Sequence, residues 1–588
     1  MSLSSRLSST RFKTILLVLP FIVWAACQQP PDADTFLKGP YLQNIRPDGI
    51  TILWESKKPS AGKIEFGKTP DLGMAFTESD TNSLHEITLT GLETETTYYY
   101  QAVSGGVKSE IFSFKTSVRK ETPFSFIFYG DNKNGPHVHE KNADLILSKK
   151  PDFVIHNGDL VDDGTIYKQW ELLFFNPTRN LMHSVPIYPV LGNHERHARY
   201  YFDFFSLPGN EAWYSFDYGN AHFIILDSDE DELTAGSEQI DWLIRDLENT
   251  DAEWKFISFH YPPFTAGGNY YRTSRIRLKN LVHPIFEKNG VDMVFGGHDH
   301  NYERSYPIMT RKGKKPITYI VAGNGGTSMR YIGSREWTAY AERVFGFTRI
   351  GIDGSKLHLQ AYSIDDKVID ELVLDKENPK SVVAYQQKLV FFEDITDPLE
   401  TTRLYKEGDK LLDKERYSDA LALFLRAYDT DTTCIEALAG AAECYYEMGN
   451  LDAAMEFARR GISKKPNYPD SYEILIDVYR KQKKYEDALF WTNKWLGIEP
   501  DSSDPNETMS DIYTDMGKPD LAIHEMEKAL AVVASDPDLY INLGRLYERS
   551  GDRQRAMEAY QNAIYWHREA EMDEDILEVA KKVVRWSE

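Results

Sequence analysis

Cysteine is nearly absent from this 588-residue chain, which has only Cys27, Cys434 and Cys444. Three thiols cannot build a disulfide framework. Cys434 and Cys444 lie in one helical pattern, about 15 Å apart if it is a single helix, too far for a disulfide, and read as reduced core thiols. Positive charge is also scarce: 67 Lys plus Arg stand against 91 Asp plus Glu, a net charge of -24, with no long basic cluster. That balance disfavours a scaffold that follows a nucleic-acid backbone. Long apolar runs are missing beyond the N-terminus, so the rest of the chain is not expected to span a membrane. At about 100–200 residues per domain, the length predicts three or four domains.

Arg6, Arg11 and Lys13 precede the apolar run Ile15 to Val23, too short for a comfortable span and right for the core of an export signal. The following Trp24-Ala25-Ala26-Cys27 resembles a bacterial lipoprotein signal, although Trp24 departs from the usual aliphatic residue. The resemblance implies a signal peptide over 1–26, Cys27 as the lipidated mature N-terminus, and a location in the bacterial periplasm or at the cell surface, lipid-anchored to a membrane. The alternative is an ordinary secretory signal or an uncleaved anchor that happens to contain Cys.

Residues 36–118 alternate with the period of half-buried strands, as in Ile50 to Trp54, Glu86 to Leu89, Tyr98 to Val103 and Phe112 to Phe114, separated by turn formers. An all-β sandwich is expected; the stretch Gly91 to Tyr98 resembles the tyrosine corner of a fibronectin type III-like module, and Trp54 reads as core. Residues 119–378 mix short apolar strands with helical patterns, an α/β reading, and 379–401 read as a linker. In residues 402–588, Ala420, Ala454, Ala488, Ala522 and Ala556 recur every 34 positions, as do Tyr445, Tyr479, Tyr513 and Tyr547. The period resembles five tetratricopeptide repeats, an all-α solenoid, with a capping helix within 574–586. Such an array serves a protein or peptide partner, self-association, or simple extension of the chain. It carries none of the candidate ligands, and the phosphoesterase chemistry is expected to be independent of it.

The middle region carries the chemistry. Five strand-like runs each end in metal-binding side chains: Gly130-Asp131, Gly158-Asp159, Gly192-Asn193-His194-Glu195, His260, and Gly297-His298-Asp299-His300. Buried strands that stop together present these groups to one crevice. Mixed carboxylate, amide and imidazole ligands suit Zn, Mn or Fe, and two such ions about 3.5–4 Å apart suit in-line displacement at phosphorus. His137, His139 and His156 lie outside the converging turns and read as loop or core histidines.

The five-part pattern resembles calcineurin-like metallophosphoesterases. The preceding sandwich, opening Lys38-Gly39-Pro40-Tyr41-Leu42-Gln43-Asn44, resembles the N-terminal module of purple acid phosphatases. The resemblance covers 36–378 and implies a two-sheet sandwich flanked by helices, with two metal ions. Asp159 would bridge them, Asp131 and His300 would complete one site, and Asn193, His260 and His298 the other. It further implies that His194 sits beside the phosphate as proton donor or charge stabiliser with Glu195 orienting it, and that a metal-bound hydroxide hydrolyses a phosphate ester, a monoester in preference to a diester. The rival reading is a repeat scaffold whose phosphoesterase domain is catalytically weak.

Three departures bear on this. The tyrosine expected three places after the bridging Asp is replaced by Asp162, either a substitute ligand or a solvated or helix-capping carboxylate. The histidine that other members place two residues after the first Asp is Lys133. The histidines expected downstream of His260 are missing; Arg272 follows there, either a phosphate ligand or a surface residue. At the N-terminus, Cys27→Ser expressed in a bacterial host is expected to move the protein out of the detergent phase and remove the lipid mass. Unchanged partitioning with no lipid on the wild type refutes the lipoprotein reading.

Overall fold

The computed structural model describes residues 36–566 and positions 579, 582 and 583, apart from 229–232, 235, 268–272, 311–314, 331, 386–387, 393–397 and isolated positions between repeat helices. The signal segment, Cys27, Arg272 and most of the expected capping helix lie outside the described residues. Among the described residues, no helix is long and apolar enough to cross a membrane.

The N-terminal β domain is built from longer strands than the sequence pattern suggests. Gly49–Gly67 pairs with Phe36–Arg46 along its first half and with Thr97–Ser104 along its second, with a register break between Glu55 and Ser60. The break lets one strand serve two layers and close them over Trp54, which is fully buried and stacked on His85. The Tyr98 hydroxyl accepts the Glu93 backbone N–H at 3.0 Å, tying down the corner. The domain is fastened to its neighbour by buried polar contacts: Tyr41 donates to the Phe204 carbonyl at 2.7 Å and Tyr100 to the His183 carbonyl at 2.8 Å.

The α/β domain packs two sheets face to face. One runs Val368–Asp375, Lys356–Ser363, Gly346–Asp353, Phe124–Tyr129, Phe153–His156, Ile187–Pro189; the other runs Tyr214–Tyr218, Ala221–Ile225, Trp254–Ser258, Met293–Gly296, Thr318–Ala322, Tyr302–Ser305, Thr338–Glu342. The strands that carry site motifs are parallel within each sheet. Aromatic rings fill the space between, with Phe128 stacked on Phe295 at 3.5 Å and Phe126 edge-on to Phe223. The apolar runs of the parallel strands thus have two buried faces, and their carboxyl ends reach the same edge.

The region 379–401, expected to be a linker, docks on the α/β domain. Strand Val390–Phe392 pairs in parallel with Ile308–Thr310, and the Tyr385 hydroxyl lies 2.6 Å from Thr318 Oγ1. Five helix pairs follow among the described residues: Pro398–Leu412 with Tyr417–Thr430, Ile435–Glu447 with Leu451–Lys464, Pro469–Lys481 with Tyr485–Ile498, Asp504–Asp515 with Pro519–Val532, and Pro537–Ser550 with Arg553–Trp566. The periodic alanines are fully buried where paired helices approach. A second ladder emerges at the turns, where Glu415, Gly449, Lys483, Gly517 and Gly551 share left-handed backbone. Glycine adopts it at no steric cost, whereas Glu415 and Lys483 do so against their Cβ atoms. Lys483→Gly is therefore expected to stabilise the array by about 0.5–1 kcal/mol, read as a higher midpoint in urea; a lowered midpoint would show that the Lys483 side chain contributes more than its backbone costs.

Candidate active site

The strand ends deliver their motifs to one crevice. Asp131, Asp159 and His298 each turn the chain through left-handed backbone, φ 58, 55 and 64, a strained conformation that persists where surrounding structure enforces it. Two glycines make the approach tolerable. A Cβ on Gly192 would lie 2.3 Å from Asp159 Oδ1, and one on Gly297 would lie 2.5 Å from Asp131 Oδ2.

Two groups of potential ligand atoms result, Asp159 with His260 and His298, and Asp131 with Asp159 and His300, the atoms of each lying within 4.8 Å of one another. Asp159 is common to both. Asn193 joins the first group, its Oδ1 lying 3.2 Å from His260 Nε2 and 3.0 Å from His298 Nδ1. His260 Nδ1 donates to the Asn157 carbonyl at 2.8 Å, so Nε2 carries the lone pair of the neutral ring. That lone pair, Asn193 Oδ1 and Asp159 Oδ1 at 3.3 Å crowd acceptor on acceptor, a set that fits a cation. His300 Nδ1 likewise donates to the Ser328 carbonyl at 2.8 Å, and its buried Nε2, 3.6 Å from Asp131 Oδ1, has no hydrogen-bond partner. An orphaned imidazole nitrogen facing a carboxylate fits a metal ligand on this side too.

The second group also holds a fixed cation. Lys133 Nζ donates to Asp159 Oδ2 at 2.9 Å and is almost wholly buried. The position that lacks the family's histidine thus contributes an ammonium directed at the shared carboxylate. Asp159 is held well below the usual carboxylate range: burial pushes it up, but His260, Lys133 and His194 outweigh burial. Asp131 moves well above that range, through burial and then the charge of Asp159.

His194 stands at the rim. Its Nδ1 donates to the Asp162 carbonyl at 2.5 Å, its backbone N–H donates to Asp159 Oδ1 at 3.2 Å, and Nε2 lies 3.9 Å from Asp159 Oδ2. Burial, with Lys133, pulls its pKa down to about 4. Glu195 is fully buried and never meets the imidazole. Its two oxygens accept the backbone N–H groups of Asp159, Gly192, Leu160 and Val161 at 2.9, 2.7, 2.7 and 3.4 Å. The expected orienter of His194 is instead the clamp of the loops that carry Asp159 and Asn193, and the atom that orients His194 is the Asp162 carbonyl. The Asp162 carboxylate belongs to neither ligand group. It lines a cavity in front of them, and burial pushes it up to about 6, opposed by Lys133 and aided by Asp536. His139 and His156 bond Tyr129 and Asn132 in the core, away from this crevice.

The cavity, of about 340 Å³, has a second wall that the sequence reading does not anticipate. Lys133, His194, His300, Thr327 and Arg330 line one side, and residues of the repeat array, among them Asp470, Glu499, Asp504 and Asp536, line the other. The array, expected to be separate from the site, encloses it.

Fold and site together define a two-sheet phosphoesterase with a candidate dinuclear centre. Residues 124–302 match the calcineurin-like phosphoesterase family, 40–116 the purple acid phosphatase N-terminal domain and 317–371 the iron/zinc purple acid phosphatase-like C-terminal region, while 411–474 and 508–571 match tetratricopeptide repeats. The chain thus carries a calcineurin-like phosphoesterase domain in the domain order of the purple acid phosphatases, followed by tetratricopeptide repeats, and is a phosphatase of that type. It is 26% identical over 401 residues to acid phosphatase type 7 of Danio rerio, covering 56% of this chain and 89% of that one. It is 27% identical over 289 residues to purple acid phosphatase 15 of Arabidopsis thaliana, covering 41% and 53%. The purple acid phosphatase from yellow lupin (Lupinus luteus) seeds shares the fold, with a TM-score of 0.50 at 20% identity over 61% of this chain and 77% of that one.

The Glu195 clamp yields a test. Four N–H groups point at its two oxygens, so Glu195→Gln sets an amide NH2 against donors. Metal content is expected to fall, with affinity weakened about 10–100-fold, as for other groups that orient metal ligands. Equal occupancy in wild type and variant would reject the positioning role.

Proposed function

We propose that this protein hydrolyses phosphate monoesters at a dinuclear centre of Fe, Zn or Mn, with Asp159 shared, Asn193, His260 and His298 on one ion, and Asp131 and His300 on the other. The observation that carries this reading is the convergence of two buried acceptor clusters on one carboxylate, at the foot of a cavity that His194 enters. When bound, such ions withdraw charge from the phosphoryl group and acidify water.

The chain's own residues supply the rest. Lys133 and Arg330 line the inner end of the cavity, where their charges suit the phosphate group of an ester. The Asp162 carbonyl holds the His194 proton on Nδ1, so Nε2 is the atom that can carry a second proton to a leaving oxygen. With the ring titrating at about 4, the proton-bearing form is an acid-pH species, and the negative charge of a bound phosphate raises its population. Export and lipid attachment through Cys27 belong to this reading on the strength of the N-terminal pattern, and the repeats supply a surface for a protein partner.

A metal analysis combined with a panel of phosphomonoesters and phosphodiesters tests the assignment; faster turnover of diesters would replace it with a phosphodiesterase, and metal-loaded protein without turnover would leave a binding scaffold. Asp159→Asn is expected to abolish activity and metal retention together. His194→Ala is expected to retain metal while kcat falls roughly 10²–10⁴-fold. In the wild type kcat/KM should fall as pH rises and the imidazolium is lost, and the variant should lack that limb. Full turnover without His194 would sink its assigned role.

A further inference from the structure

The array wall of the cavity is acidic in a way that helix capping only partly explains. Asp470 and Asp504 stand in the first turns of Pro469–Lys481 and Asp504–Asp515, and Asp536 caps Pro537–Ser550 by accepting the N–H groups of Asp538 and Leu539. Acidic residues suit helix N-termini. Glu499 does not fit that account, because it follows the C-terminus of Tyr485–Ile498, where the helix dipole disfavours negative charge. Its Oε2 accepts the Trp495 indole N–H at 2.9 Å, it feels the charges of Asp504 and Asp470, and the cation acting on it is Arg330 across the cavity. Asp162 adds a carboxylate facing Asp536.

The opposite wall has the other polarity, with Lys133, Arg330 and the phosphoesterase histidines. One polar atom of this wall that belongs to neither metal group, Thr327 Oγ1, is buried without a hydrogen-bond partner, and its residue lines the cavity. A buried polar atom of this kind in a cavity marks a ligand position. About 340 Å³ is the scale of a small-molecule site, with phosphate-seeking groups at one end and cation-seeking groups at the other.

We propose that the repeat array completes the active site by binding the non-phosphate end of the substrate through Glu499, Asp504 and their acidic neighbours, and that this end is an ammonium group: the substrate is a small phosphate monoester of an amino alcohol. The inference rests on the monoesterase reading and names its substrate class.

The test uses the full-length, metal-loaded protein at low ionic strength, with phosphoethanolamine and phosphocholine compared against glycerol phosphate, and a phosphoserine peptide rich in lysine as a further arm. The wild type is expected to favour the amino-alcohol esters at least about tenfold in kcat/KM, the scale of one or two charge contacts in a partly solvated site. In Glu499→Gln/Asp504→Asn that ratio should collapse toward unity, mainly through KM, and in Asp504→Lys it should invert; circular dichroism confirms that the variants fold. Turnover of all esters without preference, or a ratio unmoved in the folded variants, overturns the inference and leaves the phosphatase reading standing. Turnover confined to the peptide overturns the small-molecule assignment. No turnover of any ester overturns both readings.

Discussion

Two carboxylates, Asp131 and Asp159, lie fully buried and close together at the meeting edge of two sheets, and much of the surrounding architecture serves to hold them there. Isolated buried charge costs several kcal/mol or more unless it is compensated. The compensation comes from several elements: the His298 backbone N–H on both Asp131 oxygens at 3.0 and 2.8 Å, the Lys133 ammonium on Asp159, and the His194 N–H on the same carboxylate. Every donor sits on a loop whose direction depends on its strand ending at the right place. The aromatic packing between the sheets, remote from the chemistry, therefore determines whether the charges can coexist.

The same demand explains the backbone. Left-handed turns at Asp131, Asp159 and His298 place main-chain N–H groups and side chains on the same side of the crevice, and Glu195 ties the Asp159 loop to the loop of Asn193 by accepting four N–H groups. A carboxylate in that role is neither ligand nor acid; burial and the nearby charge of Asp159 push it up to about 8, the electrostatic cost of clamping with a charged group. The helices and the second ladder of left-handed turns in the array obey local rules instead, and among the described residues they carry no comparable strain beyond Glu415 and Lys483.

Much of this is legible in sequence because it is local. A strand run that ends in a ligand side chain announces itself five times, four of them with a glycine just before the ligand, and a 34-residue alanine ladder needs no tertiary information. What escapes is what depends on distant partners. Lys133 reads as a lost histidine, since nothing in one motif reveals that its ammonium reaches the carboxylate of another. Glu195 follows His194 directly and invites the role of orienter, yet its side chain points into the loops while the Asp162 carbonyl, a main-chain atom with no sequence signature, orients the imidazole. The array's return over the site is invisible because it depends on packing between repeats and on strand Val390–Phe392, where composition suggests only a tether.

Among the described residues, the array meets the α/β domain near its first helix and again near its last helix pair. Its first helix, Pro398–Leu412, packs on Thr273–Lys288, and in its last described pair the Tyr565 ring lies 5.5 Å from Lys168 Nζ. A solenoid held at one end can gain or lose a unit and merely change in length, but one seated on two abutments is an arch, and its number of units is set by the distance it must span. Repeat number in this protein is thus a geometric constant of the catalytic domain beneath it. Duplication or loss of a single repeat, ordinarily the easiest evolutionary change in such arrays, would here lift the keystone away from the chemistry.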